Sequence, residues 1–399
     1  MKSLAGARLA LPFLIALLSA ALGAGGVLLF VRPLPGSSAP RTQSLASGPL
    51  NDQAVYDRLE PSIVDVTADL RFAGRTTEGT GFVFNAPDGL VLTNNHVVRS
   101  ATSVTATLAP TGKTYRARIV GTDARADIAV LQLLNAPPLK AAATGDSTDV
   151  MLGTPVLAIG NADGQGGAPT IAPGIVNSLD RTIDASDTSA GTAEVLSGML
   201  QTSAQLEPGD SGGPLADAAG QVIGIDTAAN PAGTPGPVGY AIPVHRALAI
   251  ARQIAAGHPG PGIALGTGGF LGTVLPASAT GSPQVQDEEE RSTITNAGAS
   301  PAAPICLATD AEAGVPAAVA PVRSGALVEG VLCGTPAAAA GVTGGDVIVR
   351  VAGQAVTSPD GLAKILATRT PGIEVPVTWA DLAGVTRTVL VRLLPAPAP

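Results

Sequence analysis

Glu207-Pro-Gly-Asp-Ser-Gly-Gly-Pro-Leu215 is the stretch on which the reading of this chain turns. A serine flanked by Gly209, Gly212 and Gly213 sits in a tight turn, where backbone without Cβ atoms lets a substrate approach closely. The N–H groups of Gly209 and Ser211 are expected to face one pocket and bind a developing oxyanion, worth roughly 10²–10³ in rate per donor. A serine at its ordinary pKa is a poor nucleophile, so this reading requires a neighbouring base.

The chain has three histidines. His258 falls in the linker Gly257-His-Pro-Gly, and His245 lies on a helix-patterned segment beside Arg246. His96 follows the strand-like run Gly89-Leu-Val-Leu-Thr-Asn-Asn, and a strand end is where a rigid scaffold presents a functional side chain. His96 is therefore the expected general base. The third member should be a carboxylate that fixes the imidazole tautomer and stabilises the imidazolium. Asp127 opens Asp-Ile-Ala-Val-Leu-Gln-Leu, at the mouth of a buried strand, whereas Asp123 reads as a solvated turn residue. The order His96, Asp127, Ser211 is that of chymotrypsin-type double β-barrels rather than of subtilisin-like or α/β-hydrolase chains.

The surrounding texture agrees. Of 399 residues 45% are hydrophobic but only 3% aromatic, so cores must be aliphatic. Gly (49) and Pro (34) together make about a fifth of the chain, against roughly 12% in average usage, which disfavours a helical bundle. Short β-branched runs at Ser62–Val66, Gly81–Phe84, Leu90–Thr93, Ser103–Leu108, Ile128–Leu133, Pro155–Ile159 and Gln221–Ile225 predict an antiparallel all-β domain over 52–256. Helical periodicity over Ala241–Ile254 predicts a closing helix with Val244, Leu248, Ala251 and Ile254 on one face. A net charge of −8 without any Lys/Arg run excludes a nucleic-acid partner. No metal-ligand pattern occurs, and no cofactor is expected.

Residues 9–31 carry no charge and as a helix would span roughly 34 Å, enough for a hydrocarbon core of about 30 Å. A signal peptide cleaved at Ala21-Leu22-Gly23 is the competing reading. The apolar run continues through Val27–Val31, which favours an uncleaved anchor preceded by a cytoplasmic segment, 1–8. Either reading sends the rest out of the cytoplasm, as a single-pass membrane protein if the anchor stays. Residues 32–51 read as a flexible tether and 257–268 as a Gly/Pro linker. A C-terminal domain follows over 269–395, with a polar insertion at about 276–323 that has little to bury.

The segments Gly79-Thr-Gly-Phe-Val, Leu92-Thr-Asn-Asn-His-Val-Val, Asp127-Ile-Ala-Val-Leu, Ala158-Ile-Gly-Asn, Gly209-Asp-Ser-Gly-Gly-Pro-Leu and Gly239-Tyr-Ala-Ile-Pro occur in that order. Through them the chain resembles the HtrA (DegP/DegS-like) family. The resemblance implies a mainly β architecture: a chymotrypsin-like double β-barrel protease domain, a smaller PDZ domain and one N-terminal transmembrane helix. It implies an ATP-independent serine endopeptidase of the envelope acting on misfolded or partly unfolded proteins, and a homotrimer. The alternative is an envelope chaperone or PDZ-based scaffold with dormant proteolysis. Many members carry Asn before the nucleophile where this chain has Asp210. In trypsin-like zymogens that aspartate pairs with a freed N-terminal amine, which is absent here without cleavage.

Gln205 stands six residues before Ser211, where trypsins place an acidic residue. With no carboxylate there, a basic side chain would be buried unpaired at a cost. Ala204, Gln205 and Leu206 are therefore expected to form a pocket for small or medium apolar residues. Gly325–Gly353 resembles the centre of a PDZ domain, with a helix at Gly361–Ala367 and last strands at Val375–Val377 and Val389–Leu393. Its carboxylate loop for a C-terminal peptide would be Gly269, Phe270, Leu271 and Gly272. In an oxidising compartment Cys306 and Cys333 would form a disulfide tying the insertion to that domain.

Overall fold

Alternating β-branched runs need a partner sheet to bury one face, and this chain answers that need twice. The computed structural model describes residues 49–164, 167–187, 192–229, 238–276 and 306–398. The expected N-terminal segment 1–8, the anchor at 9–31 and most of the tether at 32–51 lie outside these residues. Among the described residues no helix is long and apolar enough to cross a membrane.

Helix α1 (Asp52–Leu59) starts at Asn51, whose side chain accepts the N–H of Ala54 at 3.1 Å, a standard N-terminal cap. The first barrel contains β1 (Ile63–Leu70), β2 (Arg75–Asn85), β3 (Leu90–Thr93), β4 (Ser103–Leu108), β5 (Lys113–Asp123) and β6 (Ile128–Leu133). They run in the order β5-β4-β1-β2-β3-β6, and a β5–β6 pairing closes the ring. Helix α2 (Asn95–Val98) interrupts the path after β3. The second barrel is closed as β10-β11-β12-β9-β8-β7. Its strands are β7 (Pro155–Gly160), β8 (Thr170–Asp187), β9 (Thr192–Thr202), β10 (Pro214–Asp217), β11 (Val222–Ala229) and β12 (Gly239–Pro243). Closure removes exposed strand edges.

Helix α3 (Val244–Ala255) follows, starting three residues later than its periodicity suggests because Ala241–Pro243 belong to β12. Its buried face holds Val244, Leu248, Ala251 and Ile254 as expected. These join Phe82, Leu92 and Ile128 of the first barrel and Leu157, Ile159 and Ile225 of the second in one continuous core. That shared core fixes the two barrels against each other.

β13 (Ile263–Leu265) adds to β5 at the expected linker, which is therefore partly ordered by the first barrel. The C-terminal domain holds β14 (Gly269–Phe270) paired with β22 (Leu394–Pro395), and β15 (Thr273–Val274) paired with β17 (Gly330–Val331). It also holds a small sheet of β16 (Ala326–Leu327), β18 (Val347–Val351), β20 (Glu374–Ala380) and β21 (Thr386–Arg392), with β19 (Gln354–Ala355) on β18. Helix α4 (Pro336–Ala340) follows β17, and α5 (Pro359–Ala367) packs on the sheet. Trp379 is buried at its centre. The polar insertion expected over 276–323 is shorter at its C-terminal end. Leu307 is buried and its N–H donates to the Val331 carbonyl, while Ala320 packs with Val347 and Ala380. Apolar residues spaced too widely to read as a pattern give 306–323 something to bury. Residues 277–305 lie outside the described ones.

Candidate active site

Strand β3 ends in Thr93 and hands the chain to α2, whose Val97 and Val98 are buried in the first barrel. That anchorage holds His96 at the barrel's rim. His96 Nδ1 lies 2.8 Å from Asp127 Oδ2, and the His96 backbone N–H donates to Asp127 Oδ1 at 2.9 Å. One carboxylate thus grips both the ring and the main chain of the same residue. A proton held on Nδ1 leaves the lone pair on Nε2, the tautomer a general base needs.

Asp127 is fully buried and takes a left-handed conformation, φ 53°, at the end of the turn Ala124–Ala126. Asp123 builds that turn. Its Oδ1 accepts the N–H groups of Arg125 and Ala126 at 3.1 and 3.3 Å. Asp123 is 6% exposed, so the expectation of a solvated residue is corrected: it is a buried cap that presents Asp127. The Asn94 side-chain amide donates to the Asp127 carbonyl at 2.9 Å and pins the other end.

Thr227, on β11, escaped the sequence reading. Its hydroxyl donates to Asp127 Oδ2 at 2.5 Å, and its carbonyl accepts from the Ser211 hydroxyl at 3.3 Å. The only signal in sequence was a hydroxyl continuing the apolar run Gln221–Ile225, since a buried polar group needs a partner.

Around Ser211 the bookkeeping of backbone amides is informative. Asp210 N–H donates to Glu207 O, Gly213 N–H to Asp210 O and Gly212 N–H to Asp226 O. Glu207 N–H donates to Asp210 Oδ2 at 2.8 Å, and Pro208 has none. The amides left without a protein acceptor among the described residues are those of Gly209 and Ser211, the two expected oxyanion donors. Gly209 has φ +99°, and a Cβ there would meet the Asn161 carbonyl at 2.1 Å. Only glycine fits. Asp210 thus takes an internal amide as partner where a zymogen's aspartate would await a new terminus. Behind the loop Asp226 is fully buried, and among the described residues neither carboxyl oxygen has a hydrogen-bond partner. Burial, and then the nearby Asp210 carboxyl, push Asp226 well above the ordinary carboxylate range.

A cavity of about 470 Å³ adjoins the loop, lined among others by Thr170, Ile171, Pro173, Gln205, Glu207 and Asp210. Of the three expected pocket residues only Gln205 lines it. Ala204 and Leu206 point the other way into the core of the second barrel, as side chains alternate in extended chain. Position 205 carries no carboxylate, but two others line the cavity: Asp210, whose Oδ2 accepts the Glu207 N–H, and Glu207, whose Oε1 accepts from Gln205 Nε2 at 2.7 Å.

The other candidates lie elsewhere. His245 Nδ1 is engaged by the Ser147 hydroxyl at 2.6 Å, and His258 is exposed. Gly269 and Phe270 form β14, which pairs with β22 (Leu394–Pro395). Leu271 is buried, and the Gly272 carbonyl accepts the Leu332 N–H at 2.8 Å. Phe270 and Leu271 border a groove of about 390 Å³ whose far wall carries Leu362 and Leu366 of α5. Cys306 and Cys333 are disulfide-bonded, with Cα atoms 5.0 Å apart. Among the described residues no group of three or more His, Cys, Asp or Glu is placed to share a metal ion.

Residues 79–225 match the model of a trypsin-like peptidase domain. The chain is 37% identical over 216 residues to Serine protease Do-like HtrB of Bacillus subtilis, covering 50% of this chain and 46% of that protein. It is 28% identical to Serine protease PepD of Mycobacterium tuberculosis, over 90% of this chain and 70% of that protein. It is 31% identical to Putative serine protease HhoA of Synechocystis sp., over 84% of this chain and 79% of that protein.

Proposed function

Because the chain belongs to the HtrA family of trypsin-like serine proteases, we propose that it is an ATP-independent serine endopeptidase of the cell envelope that degrades misfolded or partly unfolded proteins. One observation carries the reading. Thr227 links the Asp127 carboxylate that holds His96 to Ser211, and in the nucleophile loop Gly209 and Ser211 keep amides without an acceptor among the described residues.

In this mechanism Ser211 Oγ attacks the scissile carbonyl while His96 Nε2 takes its proton. Asp127 stabilises the imidazolium without taking the proton itself. The Gly209 and Ser211 N–H groups bind the oxyanion of the tetrahedral intermediate. His96 then gives its proton to the leaving amine as the C–N bond breaks. A water deprotonated by His96 releases the acyl group and restores Ser211. The cavity beside Gln205 receives a small or medium apolar side chain on the N-terminal side of the cut bond.

The C-terminal domain acts in this reading as a PDZ domain. An extended C-terminal peptide enters the groove between the Gly269–Gly272 loop and α5 by strand addition, and Leu271, Leu362 and Leu366 supply its apolar lining. Residues 9–31 anchor the protein in the membrane with both domains outside the cytoplasm, and the family resemblance supports a homotrimer.

Incubation of the full chain with a reduced, carboxymethylated protein, without ATP, tests the activity. Wild type is expected to degrade it and to spare the same protein in its native state, and Ser211→Ala is expected to degrade neither form. An inert wild type, with or without apolar C-terminal peptides, would favour the dormant scaffold instead.

A further inference from the structure

Thr80 sits on β2 and is wholly buried, and every polar atom it has is committed beneath the nucleophile loop. Its N–H donates to the Ser211 carbonyl at 2.8 Å. Its hydroxyl donates to the Gly209 carbonyl at 2.7 Å and accepts the Asn161 N–H at 2.9 Å. Its own carbonyl accepts from the Thr93 hydroxyl at 2.6 Å, and Thr93 is the last residue before the turn into α2. The loop lies tightly on this floor, since a Cβ on Gly212 would meet the Thr80 carbonyl at 2.0 Å.

Glycine rotates its flanking peptide planes at little cost. The Gly209 N–H belongs to the Pro208–Gly209 peptide plane, and Gly209 is the hinge about which that plane can turn its Pro208 carbonyl inward instead, which would repel an oxyanion. The next plane, Gly209–Asp210, is pinned at both of its polar ends: the Glu207 carbonyl holds the Asp210 N–H, and the Thr80 hydroxyl holds the Gly209 carbonyl. That hydroxyl is itself oriented, because accepting from Asn161 leaves its single proton for Gly209. Only a hydroxyl side chain of this size can accept and donate at once here.

We propose that Thr80 is a positioning residue of the oxyanion hole, whose hydroxyl pins the Gly209–Asp210 peptide plane and so fixes the Gly209 Cα from which the Gly209 N–H is aimed at the developing charge. This rests on the hydrolytic reading above and deepens it. Thr80 touches no substrate; it acts through Gly209.

The test compares Thr80→Val, Thr80→Ser and Thr80→Cys in the full chain, reading kcat and KM separately on a peptide amide. Thr80→Val keeps the shape and is expected to lose about 10²-fold in kcat, with KM within about twofold because substrate binding precedes the charge. Thr80→Ser is expected to keep kcat within a few-fold of wild type. If Thr80→Val does not fold, Thr80→Cys carries the test, with a weak donor expected to cost at least tenfold in kcat at unchanged KM. An unchanged kcat in whichever of the two folds, a loss confined to KM, or a loss in Thr80→Ser equal to that in Thr80→Val would overturn the proposal. An inactive wild type would overturn the hydrolytic reading, and is seen before any variant is made.

Discussion

The Thr227 hydroxyl donates to the same Asp127 oxygen, Oδ2, that holds His96 Nδ1, while the Thr227 carbonyl accepts from Ser211. One residue of the second barrel therefore touches the carboxylate of the first barrel and the nucleophile at once. Thr227→Val keeps the volume and removes the donor. Its kcat/KM is expected to fall about tenfold, or about 1.4 kcal/mol. The acid limb of the pH–rate profile should move up, because a less shared Asp127 holds the imidazolium more tightly and frees the base only at higher pH. Rate and profile identical to wild type would contradict this role.

Asp226 and Asp65 predict a stability that declines as pH rises. Burial raises both carboxyls, Asp226 well above its usual range and Asp65 from 3.8 to about 6, with Glu78 contributing at Asp65. A carboxyl raised on folding keeps a proton that the unfolded chain releases, so its destabilising effect grows upward from about pH 4. For Asp65 it is complete just above pH 6. Asp226→Asn and Asp65→Asn are expected to raise Tm at pH 7.5 and leave it unchanged at pH 3.5, with about 2–4 °C for each kcal/mol recovered. Melting curves across that range check it, and a lower Tm at pH 7.5 would refute it.

Gln205 masks the Glu207 carboxylate on the pocket wall through their hydrogen bond, while the Asp210 carboxylate there holds the Glu207 N–H. Wild type is therefore expected to cut after small or medium apolar residues. Gln205→Ala should free Glu207 and raise kcat/KM for Lys or Arg at that position by about tenfold, the effect of one added charge-assisted hydrogen bond. A peptide library read by mass spectrometry decides the matter. A wild-type profile already dominated by Arg or Lys would be the contrary result.

The Cys306–Cys333 bridge closes a loop within the C-terminal domain. By loop entropy it stabilises that domain by roughly 3–4 kcal/mol. The Cys306→Ser, Cys333→Ser double variant should unfold its C-terminal domain at a lower urea concentration. Hydrolysis of a small peptide ester should change little, since neither cysteine touches the candidate site. An unchanged urea midpoint would show the bridge to be energetically idle.

Legibility in the sequence followed chemical rarity and pattern. β3, β4 and β6 read at their true bounds because their apolar runs end in turn residues. β5 did not, since Lys113–Arg118 is a mostly exposed arm with little to alternate. β8 hid behind Pro173, Gly174 and an Asp180 at φ 56°, and its ladder with β9 slips register three times. Such strands are defined by their partners. Ser211 and His96 stood out because a serine among glycines and one credible histidine leave few choices. Thr80 and Thr227 did not, because threonine is common and their roles come from bonds spanning 129 and 100 positions. Gln205 lines the cavity, whereas Ala204 and Leu206 turn into the core, because alternation along extended chain sends neighbours to opposite sides.

If Ser211 is a nucleophile activated by His96 and Asp127, it reacts covalently with a fluorophosphonate whatever the protein substrate. The full chain is treated with a fluorophosphonate, and the modified residue is mapped by peptide mass spectrometry. Wild type is expected to label at Ser211, Ser211→Ala not at all, and His96→Ala more slowly by several orders of magnitude. Wild type that never labels at Ser211, with or without a C-terminal peptide bound, would contradict it.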